Sequence, residues 1–283
     1  MKGLVMEGGA LRGMFTAGVT DVMLEHGIEF DAAVGVSAGS SFGCNYKSKQ
    51  IGRALRYNLR FANDKRYCSI ESLIKTGDLF NARFCYHILP EKLDLMDEKT
   101  YMENPLKFYC AVTDVNTGKP LYHDCKELNE NTLEWMRASA SLPLAANIVK
   151  VDGYELLDGG LTDSIPIRWM ESQGCDKNVI ILTRPAGYRK KPQNKIVMAI
   201  MKHVYKDYPE LLKAISLRHT MYNAEIDYIN EIEKAGKAFV IRPEQALDIH
   251  RVEHNKAKIQ GAYDAGRSVM LKRIAELKEY LEV

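Results

Sequence analysis

Phe30-Asp31-Ala32-Ala33-Val34-Gly35-Val36-Ser37-Ala38-Gly39-Ser40 is a short apolar run, then G-x-S-x-G, then small residues able to open a helix. That order is the strand-turn-helix setting in which a serine is thrown onto a tight elbow at the end of a strand. Glycine is needed on either side, because a Cβ at Gly35 or Gly39 would run into the adjoining strand and helix. The expected outcome is a Ser37 hydroxyl held above the sheet edge over the positive end of a helix. An ordinary strand-to-helix turn with Ser37 as a spacer has the same pattern, so neighbouring stretches must decide.

Upstream, Leu4-Val5-Met6 has the composition of a strand, and Glu7-Gly8-Gly9-Ala10-Leu11-Arg12-Gly13 follows it directly. From Met14 to His26, Phe15, Val19, Val22 and Met23 recur at helical spacing, so the unit is strand, glycine loop, helix. Such a loop leaves main-chain N–H groups unpaired at a helix start and traps anions. A nucleotide phosphate or the oxyanion of a tetrahedral intermediate could occupy it. The lysine and hydroxyl of a P-loop are missing, and G-x-G-x-x-G fails at Ala10 when counted from Gly8. Arg12 either orients the loop, meets an anionic head group, or is a solvated first-turn arginine.

Downstream of Ser37 a helical stretch reaches about Arg60, followed by a polar break at Asn63-Asp64-Lys65-Arg66-Tyr67. Residues 68–105 read as an irregular insertion of short helices and loops. Phe108 to Thr113 is a strand by composition, paired with Leu121-Tyr122-His123 across a turn at 116–120, and Asn129 to Ser141 is a helix ended before Pro143. Val149 to Gly160 is a hairpin turning at Asp152-Gly153, whose second strand delivers Asp158 followed by Gly159 and Gly160. Taken alone, Asp158-Gly159 could be a second turn and nothing more.

The remaining strands are the apolar runs Val179 to Leu182 and Ala238 to Ile241, and Val252 onward reads as one long or broken helix. Between them, residues 186–219 carry eight Lys or Arg against Asp207 and Glu210. Val197, Met201, Val204, Tyr208, Leu211 and Ile215 lie at helical spacing there, as in a basic amphipathic helix. It would either meet an anionic membrane surface or cover the core with its charges in water.

Bulk properties narrow the classes. A chain of 283 residues with 46% hydrophobic content can bury a sizeable core, and a net charge of +2 gives no sign of nucleic-acid binding. The six cysteines stand far apart without a C-x-x-C pair, which excludes the common zinc and dithiol patterns, so no metal is expected. The first seven residues run straight into a glycine turn and no stretch reaches about 18 apolar residues. A cytoplasmic protein, peripheral at most to a membrane, is the expectation.

Together the three motifs resemble the patatin-like phospholipase family, most closely its bacterial branch. Gly8 to Gly13 looks like the family's glycine-rich oxyanion loop, Gly35 to Gly39 like its serine elbow, and Asp158-Gly159-Gly160 like its D-G-[A/G] element. Arg137 to Pro143 and Asp163-Ser164-Ile165-Pro166 look like landmarks around the aspartate. Ala10 departs from the pattern, standing where many members have a third glycine. The resemblance covers residues 1 to 185 well and the remainder less specifically.

What the resemblance implies is a three-layer α/β sandwich with a mainly parallel central sheet, and a serine acyl hydrolase that uses a Ser-Asp dyad without cofactor. Ser37 would attack a lipid ester and form an acyl-enzyme, Asp158 would take its proton, and the amides of Gly8, Gly9 and Ala10 would hold the oxyanion. Gly35, Gly39, Arg12, Gly13, Gly159 and Gly160 would shape the elbow and its supporting loop. An aspartate with an ordinary pKa near ~3.9 is a weak base, so the site should be partly dehydrated, in an apolar cleft that suits an acyl chain. Residues 1–185 form the hydrolase core in this reading, and 186–283 a helical region with one further strand packed on it.

Two other classes compete. An α/β-hydrolase triad would draw on His250 or His254, although Ser37 follows only the second strand. A lipid- or nucleotide-binding module without turnover would keep the glycine loop but need neither Ser37 nor Asp158.

Overall fold

A computed structural model describes residues 1–283. In chain order the first half comprises β1 (Lys2–Met6), α1 (Met14–Glu25), β2 (Ala32–Val36), α2 (Ala38–Lys47), α3 (Arg53–Phe61), α4 (Ile70–Thr76), α5 (Glu98–Glu103), β3 (Lys107–Asp114), β4 (Lys119–Asp124) and α6 (Glu130–Ser139). The second half comprises β5 (Val149–Val151), β6 (Tyr154–Asp158), α7 (Ile167–Ser172), β7 (Lys177–Ile181), α8 (Lys195–Val204), α9 (Pro209–Lys234), β8 (Ala238–Ile241) and α10 (Lys256–Leu281).

The strands form one sheet in the order β5-β6-β3-β2-β1-β7-β8, with β4 also paired to β3. β1, β2, β3, β7 and β8 run parallel, and β4, β5 and β6 add an antiparallel corner. The parallel strands are apolar on both faces because both are covered. Leu4 and Met6 of β1 pack with Phe15, Val19 and Met270 on one side, while Val5 packs with Ile167, Tyr222 and Ile229 on the other. This is a three-layer α/β sandwich, with α1, α2, α6 and α10 on one face and α7 and α9 on the other. Chain order leaves β1 toward β2 and β3 on one side and toward β7 and β8 on the other. Ligands of open α/β sheets bind outside the carboxyl ends of the strands at such a switch.

The outer layer is tied to the sheet by α10, which lies against α1 almost backbone to backbone. A Cβ on Gly18 would stand 2.1 Å from the Tyr263 carbonyl oxygen, and one on Gly266 2.0 Å from that of Phe15. The Tyr263 hydroxyl donates to Asp21 Oδ2 at 2.7 Å, and Arg267 pairs with Glu25 at 2.8 Å.

The mostly helical stretch expected from Ser37 to about Arg60 is α2 and α3. One stretch differs from its sequence reading. The single basic amphipathic helix of 186–219 is replaced by a loop, α8, a turn at Tyr205–Tyr208, and the start of α9. Pro209 causes the break. It opens α9 as a first-turn residue, and Tyr208 before it leaves the helical region at φ −122° and ψ 68°. Met201, Leu211 and Ile215 are buried as the stripe required, but Val204 is 52% exposed. The insertion at 68–105 contains α4, α5 and a π-helical segment, Phe84–Leu93, with Pro90 inside it.

Candidate active site

Ser37 ends β2 in a conformation that side chains rarely adopt, φ 56° and ψ −118°. Such a residue costs about 1–3 kcal/mol and persists only where its surroundings hold it. Its N–H donates to Ser139 Oγ at 3.0 Å, and Ser139 Oγ in turn donates to the Ala111 carbonyl at 2.7 Å. Its own carbonyl accepts the N–H groups of Ser40 and Ser41 at 3.0 Å, which opens α2. The glycines on either side are required by contact: a Cβ on Gly35 would lie 2.4 Å from the Gly39 carbonyl, and one on Gly39 2.3 Å from that of Met6.

The loop after β1 lies beside this elbow. A Cβ on Gly8 would meet that of Ser37 at 2.8 Å, and one on Gly13 would meet that of Ala38 at 2.8 Å. The N–H groups of Gly8, Gly9 and Ala10 find no main-chain acceptor. The loop is held instead by Leu11 N–H to the Arg251 carbonyl at 3.3 Å, and by Thr183 Oγ1–H to the Gly8 carbonyl at 3.1 Å. Ala10 takes φ 50°, left-handed backbone that the absent glycine would enter without strain.

Asp158 closes β6. Its N–H donates to the Ser141 carbonyl at 2.8 Å and its carbonyl accepts the Thr113 hydroxyl at 2.9 Å, so its backbone is fixed on both sides. Oδ1 accepts the Gly160 N–H at 2.8 Å, whereas Oδ2 is buried with no hydrogen-bond partner. Burial raises the carboxyl above its ordinary pKa, against the opposing pull of Arg218, the Ser37 hydroxyl, the Gly160 N–H and Lys190. Gly159 packs against the Ala111 carbonyl, and the Gly160 carbonyl accepts Arg218 Nε–H at 2.5 Å.

Two cavities meet at Ser37. One, of about 400 Å³, is lined mostly by apolar side chains, among them Phe42, Tyr57, Phe80, Leu89, Met136 and Leu142. Much of its wall comes from the 68–105 insertion. The other, of about 40 Å³, is polar and contains Asp158, Glu7, Arg12, Arg184, Lys190, Arg218 and Arg251. Ala10, Ser37, Leu142 and Arg251 line both.

The structure brings together Ser37, Asp158, the Gly8–Ala10 loop and Arg12, which are the residues singled out from sequence. No histidine lines either cavity. His250 is exposed and His254 Nδ1 contacts the Ala62 carbonyl at 2.6 Å, so the Ser-His-Asp alternative is set aside on geometry. No three His, Cys, Asp or Glu side chains are grouped to hold a metal ion.

Sequence reasoning did not assign Ser139, or the cations Arg184, Lys190, Arg218 and Arg251. Lys190 and Arg218 belong to the basic 186–219 stretch but turn inward. The loop bearing Lys190 is clasped by Asn223 of α9, whose side chain accepts Lys190 N–H at 2.9 Å and donates to the Lys190 carbonyl at 3.1 Å.

The fold and site define a three-layer α/β protein with a strained serine elbow, a loop of unpaired amides and a buried aspartate at one crevice. Residues 4–169 match the family described as patatin-like phospholipase, and residues 208–282 match a domain of unknown function, DUF6363. The chain therefore belongs to the patatin-like phospholipase family.

Among relatives, it is 30% identical over 207 residues to the uncharacterized protein YjjU of Escherichia coli K12, covering 67% of this chain and 54% of that one. It is 30% identical over 187 residues to the lysophospholipase nte1 of Aspergillus fumigatus, covering 62% of this chain and 11% of the relative. The chain thus spans about half the length of the first and a tenth of the second. VipD from Legionella pneumophila aligns over 96% of this chain and 67% of its own, with a TM-score of 0.43 and 11% identity.

Proposed function

We propose that the protein is a serine acyl hydrolase acting on carboxylic esters of lipids, with Ser37 as nucleophile and Asp158 as its base. The observation that carries this reading is the position of Ser37 at the join of a 400 Å³ apolar cavity and a polar one, where an aspartate has one buried oxygen without a partner. A similarity to lysophospholipases supports the lipid ester as substrate class.

In this mechanism the acyl chain lies in the apolar cavity and its carbonyl carbon faces Ser37. The hydroxyl proton passes to Asp158 as Oγ bonds the carbon, and the amides of Gly8, Gly9 and Ala10 receive the developing oxyanion. The ester C–O bond then breaks and the departing alcohol takes the proton from Asp158. Water repeats the sequence: its proton goes to Asp158, its oxygen to the acyl carbon, and the fatty acid leaves as Ser37 regains its hydrogen. Burial of Asp158 matters because a raised proton affinity makes the carboxylate a stronger base near neutrality.

Access from a membrane fits the outer face of α8. Ile196, Ile200 and Val204, spaced by four, are 73%, 48% and 52% exposed, beside Lys195, Lys202 and Lys206. The end of this helix is tied to the cavity wall, since Tyr205 OH accepts the Leu144 N–H at 3.0 Å and Leu142, Ala145 and Ala146 line the apolar cavity. The helix would rest its apolar row among lipid head groups with lysines facing anionic phosphates. No helix is long and apolar enough to cross a membrane.

The test is covalent. A fluorophosphonate should label Ser37, Ser37→Ala should abolish labelling and ester hydrolysis, and Asp158→Asn should lower kcat by at least about a hundredfold with the fold intact. Near-native turnover by Asp158→Asn would remove the dyad, and an unlabelled Ser37 would favour a binding module.

A further inference from the structure

Five cationic side chains, Arg12, Arg184, Lys190, Arg218 and Arg251, line a cavity of about 40 Å³ beside Ser37. None of them forms an ion pair within 4 Å, although cations elsewhere do: Arg56 with Asp94 at 2.7 Å, Arg267 with Glu25 at 2.8 Å, Lys258 with Asp248 at 2.9 Å. The two carboxylates in the cavity are occupied otherwise. Glu7 accepts the Thr183 N–H at 2.6 Å and the Tyr222 hydroxyl at 2.8 Å, and Asp158 faces the nucleophile. Arg12 Nε is buried without a partner.

Crowding of like charge with burial is costly. Burial, reinforced by the neighbouring arginines, pulls Arg12 down to about 10 and Lys190 to about 7, and lowers Arg218. An anion would relieve all of these at once. A cavity this size has room for about three waters, close to the bulk of one tetrahedral oxyanion. Guanidinium groups suit phosphate because their paired N–H donors match its oxygens.

We propose that this cavity seats a phosphomonoester carried on the alcohol half of the substrate, so that the preferred lipid ends in a bare phosphate and not in a choline-capped one. The proposal rests on the acyl-hydrolase reading of Ser37. The nucleophile then stands between tail and head: the acyl chain in the apolar cavity, the scissile ester at Ser37, the phosphate among the cations.

A phosphomonoester carries a charge of about −1.5 to −2 near neutrality, up to twice the single charge of a diester. A quaternary ammonium would find like charge and no free aromatic cage. The two tyrosine rings of the cavity already hold protein cations, Arg184 over Tyr188 at 4.5 Å and Lys190 over Tyr222 at 4.2 Å. Arg218, Tyr222 and Arg251 lie within the DUF6363 stretch, which this assignment gives a role in substrate selection.

The experiment compares kcat/KM for 1-oleoyl-glycero-3-phosphate and 1-oleoyl-glycero-3-phosphocholine in uncharged mixed micelles. The full-length wild type should favour the phosphate-ended lipid at least about tenfold. Lys190→Gln and Arg251→Gln should each cut that ratio by about tenfold, and Lys190→Arg should restore most of it. Lys213→Gln, which removes one charge from the exposed face of α9, should leave the ratio unchanged. A wild-type ratio near one, or a ratio indifferent to Lys190 and Arg251, overturns the proposal.

Two parallel measurements separate its failure from that of the hydrolase reading. Fluorophosphonate labelling of Ser37 with a ratio near one leaves the hydrolase standing and removes the head-group assignment, whereas absent labelling removes the hydrolase itself. Titration of inorganic phosphate into Ser37→Ala by calorimetry identifies the other source of the same anion. Lys190-dependent phosphate binding with a ratio near one assigns the cavity to free phosphate and overturns the proposal.

Discussion

Ser139 Oγ stands between the Ser37 N–H, 3.0 Å away, and the Ala111 carbonyl, 2.7 Å away, so that one hydroxyl on α6 braces the strained end of β2 against β3. Ser139→Ala removes the acceptor and leaves a buried N–H unpaired at a residue already held at positive φ. The expected loss is about 1–3 kcal/mol of stability, read from urea unfolding, with a fall in kcat larger than any change in KM. Unchanged kcat in a folded Ser139→Ala protein would show that the elbow needs no brace.

With Asp158 as the proposed base, the acid limb of activity should report its carboxyl. Below its pKa the carboxyl holds a proton and cannot take one from Ser37, so the rate falls as pH falls through that value. Burial lifts the pKa above the ordinary range, so the half-maximal point of kcat/KM on a soluble p-nitrophenyl ester should lie above about pH 4. The groups facing this carboxyl are Ser37, the Gly160 N–H, Arg218 and Lys190. Arg218→Gln deletes the strongest opposing pull and should move the limb to higher pH; a shift to lower pH would contradict the assignment.

How much of this was readable in advance depended on whether neighbours in space were neighbours in sequence. Ser37 and Asp158 are announced by the glycines beside them, because close packing against Met6 and Ala111 leaves no room for a side chain. The sheet was readable because strands covered on both faces must be apolar throughout. The cationic cavity was not, since its walls come from the loop after β1, the loop after β7, α9 and the segment before α10. Charge alone put Lys190 and Arg218 on a surface helix; Asn223 clasps the loop that carries Lys190, and Arg218 Nε–H reaches inward to the Gly160 carbonyl. Pro209 was the visible signal that the 186–219 helix would break.

The contact between α1 and α10 makes a separate prediction about stability. Gly266→Ala would place a Cβ about 2 Å from the Phe15 carbonyl, forcing the helices apart. The gain in helix propensity, about 1 kcal/mol, is outweighed by overpacking at the upper end of the usual range, for a net loss of about 1–2 kcal/mol. Chemical denaturation should show a lower midpoint with an unchanged slope, and a stabilised Gly266→Ala protein would mean that the two backbones are not in contact.

Membrane contact through α8 should depend on its exposed apolar row and on its charge. Ile196→Asp with Ile200→Asp should reduce co-sedimentation with phosphatidylglycerol vesicles by at least about tenfold, while hydrolysis of a soluble ester is retained. High salt should weaken the wild type, as lysine contacts to phosphate are screened. Equal sedimentation of the double variant at low salt would assign binding to another face.

Four residues, Ala10, Ser37, Leu142 and Arg251, are common to both cavities, and every other lining residue belongs to one alone. Most of the greasy wall is written between positions 67 and 146, and the charged wall chiefly between 184 and 251. Point changes in one stretch can therefore reshape one cavity while leaving most of the other's wall untouched. Under the proposed function, a lineage of such proteins would be free to retune the two ends of its substrate one at a time around an unchanged reacting centre.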